Sequence, residues 1–123
     1  MNIVVLTASE PLYLPAFFER FSSFWMMVDG RTRAGVTIFL VNEDIDAGAV
    51  VAVDEFDIPP HETLDQFIIR SKRIACDTLN RAIDLIESGA ARPVPLSKEG
   101  ASYFGFPTRE AYCRFRKRGR RLW

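Results

Sequence analysis

At 123 residues, with 48% apolar and 26% charged side chains, the chain suits one small globular domain and lies well outside the disordered class. Lys and Arg together number 16 and Asp and Glu number 16, a net charge of zero that by itself argues for no charged partner.

The elements read as follows along the chain. "NIVVL" (Asn2 to Leu6) is a β-branched run that predicts a first buried strand of an α/β domain. "PLYLPAFFERF" places Leu14, Phe17, Phe18 and Phe21 on one helical face, with prolines near its start. "SSFWMMVDG" predicts a short helix capped by Ser22 or Ser23 and ended by Gly30. "GVTIFLV" and "AVVAVDEFDI" are apolar strands joined so closely that they must be antiparallel neighbours. Next comes the clearest pattern. Leu64, Phe67/Ile68, Ile74/Ala75, Leu79, Ala82/Ile83 and Ile86 keep a 3.6-residue period, which predicts a long helix from Thr63 to Ser88. Thr63 and Gln66 form a capping box and Gly89 suits the position after the helix. Residues 90–123 form a loop-rich basic extension whose last helix, "PTREAYCRFRKRG", is capped by Thr108.

The charges are unevenly placed. Between Ala34 and Ile69 there are eight acids and no Lys or Arg, whereas from Arg109 onward seven basic residues face only Glu110. Arg114, Arg116, Lys117, Arg118, Arg120 and Arg121 alternate with Tyr112, Phe115 and Trp123, a pattern that fits either a solvated helix end or a surface for phosphates and bases. Cys76 and Cys113 lack metal or redox spacing, which suits a reducing compartment. "MNIVVLTASEP" has no basic region, and its apolar run is too short for a signal peptide or a membrane span, so a cytoplasmic protein is expected.

The connection "VNEDIDAGAVVA" raises a chemical question. A turn needs Asp or Gly, but it does not need Ile45 held between Asp44 and Asp46. On spacing alone Asp46-Ala47-Gly48 is an ordinary hairpin turn. Its surroundings say more. Trp25, Gly30, Gly35-Val36-Thr37 and Asp46-Ala47-Gly48 follow one another in the order of the W-A, G, G-V-T and D-x-G elements of the formyltransferase catalytic domain, which this chain resembles. "YFGFPTREAYCRF" is similar to the P-T-x-E segment that follows that core.

The resemblance implies an α/β fold: a Rossmann-like formyltransferase core with a mixed sheet, truncated here because the family's central strands and helices are absent near Arg20 to Ser22. It implies 10-formyltetrahydrofolate as co-substrate, an amine as acceptor and no metal. Asp46 takes the place of the family's catalytic aspartate. The backbone around Val41, Asn42, Glu43, Asp44, Ile45 and Gly48 takes the place of the pterin-binding loop. The family's Asn-x-His is missing: Asn2, Asn42 and Asn80 have no His two places on, and the single histidine, His61, lies in "PPHET", where a surface position is expected. Phe39 also replaces the histidine usual in G-V-T-x-H. A general acid/base supplies roughly 10²–10⁴-fold and an oxyanion donor about 10²–10³-fold. An inactive or weakly active member is therefore expected. The loss of central strands leaves open edges and apolar helix faces, so a homo-oligomer, domain-swapped or edge-paired, is expected too. The rival reading is a non-catalytic module that binds nucleic acid or another anion through the C-terminal tail.

Overall fold

The computed structural model of the chain describes residues 23–40, 49–95 and 105–123. A short helix, α1 (residues 23–28), turns at Asp29-Gly30, where Gly30 takes a φ of 70° that an L side chain resists. Strand β1 (Arg33–Phe39) then pairs antiparallel with β2 (Ala49–Asp57), from Arg33 opposite Asp57 to Ile38 opposite Ala52. The register slips by one before Phe39 meets Val50, so Val51 is an extra, bulged residue. A two-residue strand, β3 (Val94–Pro95), pairs antiparallel on the other edge of β2 at Ala49 and Val50, where the sequence suggested only loop. The sheet order is β1-β2-β3, all antiparallel among the described residues. The "NIVVL" segment, expected to supply the parallel part of a mixed sheet, lies outside the described residues.

Helix α2 (Leu64–Glu87) crosses one face of this sheet. Its N-terminus forms the expected capping box: Thr63 Oγ1 accepts from the Gln66 N–H, and Gln66 Oε1 accepts from the Thr63 N–H. Gly89, at φ 70°, ends it. The buried face differs from the sequence expectation. Phe67, Ser71, Ala75, Thr78 and Ala82 face inward, whereas Leu79, Ile83 and Ile86 are exposed. Small residues let the helix lie close against the strands, so side-chain volume and not apolarity alone chose the inner face.

The cross-strand pairs fix which strand side α2 covers. Asp54 on β2 reaches Thr78 of α2, Phe56 packs on Phe67, and their partners on β1 are Val36 and Ala34. Helix α3 (Arg109–Lys117), capped by Thr108 Oγ1 accepting from the Ala111 N–H, closes the opposite end of the core. Ala111 and Phe115 are fully buried in the same cluster as Phe24, Met27, Val28, Ala34 and Phe67. No helix among the described residues is long and apolar enough to cross a membrane.

Candidate functional site

Val41, Asn42, Glu43, Asp44, Ile45, Asp46 and Gly48 lie outside the described residues, but the frame that carries them is described on both sides. The Leu40 N–H donates to the Ala49 carbonyl at 2.9 Å and closes the base of the 41–48 connection. Ala49 and Val50 are held from their other edge by Pro95 and Val94. The bulge at Val51 lies two residues beyond Ala49 and sets Val50 opposite Phe39. The described residues on either side of the connection, Leu40 and Ala49, are thus paired to each other, and Ala49 and Val50 are paired to β3 as well.

Four of the described acids in the acid-rich stretch, Asp54, Glu55, Asp57 and Glu62, have charged partners. Arg33 meets Glu55 at 2.8 Å and Asp57 at 3.7 Å across the strand pair. Asp54 accepts from Thr78 Oγ1 at 2.6 Å and pairs with Arg81 at 2.9 Å. The Thr78 hydroxyl and then Arg81 hold the Asp54 carboxyl below its ordinary value, against the opposing effect of burial. Buried Glu62 receives two bonds of 2.7 Å from Arg70, which also donates to the Asp57 carbonyl and lies 4.9 Å over the Phe56 ring. Glu62 raises the Arg70 guanidinium above its ordinary value. Asp54 fastens α2 to β2, and Glu62 fastens it to the turn before the helix.

Three arginines of the basic tail donate to the protein's own backbone. Arg120 is 7% exposed and donates through Nη1 to the carbonyls of Pro59, Pro60 and Glu62. Arg118 Nε donates to the Val28 carbonyl at 2.7 Å, and Arg116 Nη1 donates to the Arg120 carbonyl at 3.3 Å. Phe115 is core and stacks on Phe24 with ring centroids 5.2 Å apart. Of the aromatics offered as stacking platforms, Trp123 and Tyr112 remain exposed. An open apolar groove of about 390 Å³ runs beside Tyr112, Phe24, Leu64 and Leu122.

Other sequence readings find their places. Met26 and Met27 are buried, and Trp25 donates Nε1–H to the Gly105 carbonyl at 2.9 Å. His61 is exposed at the entrance to α2. Thr37, the last residue of the G-V-T motif, sits within β1. It lies on the sheet side away from α2, it is 1% exposed, and its hydroxyl has no hydrogen-bond partner among the described residues. An unsatisfied buried hydroxyl costs roughly 1–3 kcal/mol. Spacing could not reveal this, because Thr suits any strand.

The formyl transferase family model matches residues 11–83, from before α1 through most of α2. This chain belongs to the formyl transferase family. A methionyl-tRNA formyltransferase of Syntrophus aciditrophicus is 32% identical over 94 residues, covering 76% of this chain and 30% of that protein. The mitochondrial 10-formyltetrahydrofolate dehydrogenase of Homo sapiens is 27% identical over 102 residues, covering 82% of this chain and 11% of its own length. Among solved structures, the sugar 3N-formyl transferase WlaRD, crystallised with dTDP and 5-N-formyl-THF, superposes with a TM-score of 0.61 at 19% identity, over 68% of this chain and 31% of that one. The N-formyltransferase from Helicobacter canadensis, in complex with folinic acid and dTDP-3-aminofucose, gives 0.62 at 19% identity. The chain thus spans about a third or less of these relatives, and the fold is the α/β fold of formyltransferases.

Proposed function

We propose that this chain is a cytoplasmic formyltransferase-family protein that holds a 10-formyltetrahydrofolate-type co-substrate against the 41–48 connection, with Asp46 at the catalytic carboxylate position. The observation that supports the reading is the family match over residues 11–83, which includes this connection and the β1–β2 pair that flanks it. Backbone groups from Val41 to Ile45 would bind the pterin, and Gly48 would permit the tight return to β2.

Turnover is expected to be absent or very low. Formyl transfer needs a proton acceptor for the attacking amine and donors for the oxyanion, and no Asn-x-His is available to supply them. Losing both contributions costs at least about four orders of magnitude, and losses within such a unit are not additive. The acceptor amine is part of the same reading.

The test is isothermal titration with folinic acid, alongside a formyl-release assay with 10-formyltetrahydrofolate. Wild type should give a binding isotherm, Asp46→Ala a weaker one, and neither should release product above background. Silence at millimolar folinic acid would remove the binding claim. Turnover that Asp46→Ala leaves untouched would remove Asp46 from its assigned place.

A further inference from the structure

Helix α2 carries a second apolar stripe that the fold does not use. Ile69, Cys76 and Ile83 recur every seven residues, with Leu79 and Ile86 three residues after Cys76 and Ile83. All five are exposed: Ile69 at 46%, Leu79 at 38%, Ile83 at 44% and Ile86 at 47%, with Cys76 beside them. Isolated exposed apolar residues are normal, but five in line at a/d spacing along one helix form a seam. The buried residues Phe67, Ser71, Ala75, Thr78 and Ala82 lie on a different side of the same helix, so the seam is additional to the core.

The charges beside the seam say what covers it. Arg73 and Glu87 flank it on the same side, seven residues before and seven after Asn80. Neither has an ion-pair partner among the described residues, and both are exposed. We propose that a second copy of this chain packs against α2 in antiparallel orientation, about a two-fold axis beside Asn80. In that register Leu79 meets Ile83 of the second copy, Cys76 meets its Ile86, and Arg73 pairs with its Glu87, each contact occurring twice. A parallel pairing would turn the Arg73 and Glu87 flank toward positions such as Ala75 and Ala82, which are buried and uncharged. Zero net charge removes long-range repulsion between the copies. The contact spans only about three helical turns, which places it among weak, reversible associations. The inference is independent of the folate reading and uses none of its residues.

Sedimentation velocity across the micromolar to millimolar range reads it out, with circular dichroism confirming that each surface variant folds. Wild type should move from monomer to dimer with rising concentration. Arg73→Glu and Glu87→Arg should each weaken self-association by about tenfold or more, and the double variant should restore it. In a Cys76→Ser/Cys113→Ser background, Asn80→Cys should oxidise to a covalent dimer across the axis. A monomer at every concentration overturns the proposal. So does a dimer that ignores both single charge reversals, since it would use another surface, and so does a double variant that fails to recover.

Discussion

The carbonyl of Arg121 accepts the backbone N–H of Leu64 at 2.9 Å, and its neighbour Leu122 accepts that of Asp65 at the same distance. The first amides of an α-helix have no partner within the helix. Here residues beyond α3 satisfy two of them, and Arg120 fixes the segment by gripping the three carbonyls of the turn before α2. The residues that follow α3 thus close the start of the long helix.

Arg120→Ala is therefore expected to destabilise the fold by about 2–3 kcal/mol, because three carbonyls lose a charged donor in a buried place. Urea denaturation measures it. Burial lowers the Arg120 guanidinium from its ordinary value, yet an arginine stays charged at any working pH, so the loss should not vary between neutral and mildly alkaline buffers. A stability unchanged within error would remove Arg120 from this role.

Arg70 binds buried Glu62 through two parallel bonds of 2.7 Å. Truncating Arg70 to alanine strands the carboxylate, and a loss of about 2 kcal/mol is expected, below the full buried-pair figure because Arg70 is partly open to water. Arg70→Lys should recover part of it, since a lysine keeps the charge but not the fork or the ring stacking. Equal melting temperatures for the lysine and alanine variants would show that the forked geometry contributes nothing.

The Asp54–Thr78 contact predicts an acid-side effect. The Thr78 hydroxyl and Arg81 stabilise the ionised carboxylate, so its folded-state pKa lies below the unfolded value. That stabilisation is fully present above about pH 4, the ordinary aspartate range, and fades as pH falls through the folded pKa. Thr78→Val should lower stability at neutral pH and flatten the loss below about pH 4. Parallel stability curves for the two proteins over that acid range would contradict it.

Two glycines share a φ of 70° but differ in their surroundings. A Cβ on Gly30 would run into the guanidinium of Arg118, whose Nε is tied to the Val28 carbonyl at 2.7 Å, whereas one on Gly89 meets nothing within 4 Å. Gly89→Ala should cost about 1 kcal/mol, the backbone term alone. Gly30→Ala should cost more, and Arg118→Ala should erase that excess in a double-mutant cycle. Equal costs at both glycines would contradict the steric account.

Much of this architecture could be read from the chain itself. Thr63, Gln66 and Gly89 mark α2 because capping acts within a few residues, and "GVTIFL" with "AVVAV" declares the hairpin because alternation and turn length are local. What stayed hidden depends on partners distant in sequence. The inward face of α2 includes Ser71 and Thr78, which no hydrophobic count would choose, beside the expected Phe67, Ala75 and Ala82. The burial of Phe115 and Arg120 depends on α1 and on the turn at Pro59, so the tail could only be read as exposed. Val94–Pro95 is too short for any period to mark. For the candidate site, the motif order around Asp46 was legible, whereas the buried Thr37 hydroxyl, without a partner among the described residues, becomes visible only with coordinates.

The closure of α2 by Arg121 and Leu122 bears on how the protein is made. A nascent chain that has not yet reached Arg120 holds its longest helix with bare leading amides and an unfilled place for Phe115. Assembly of this core must then wait for translation to pass well beyond the helix, and a ribosome stalled before that point would present a fragment open to proteolysis.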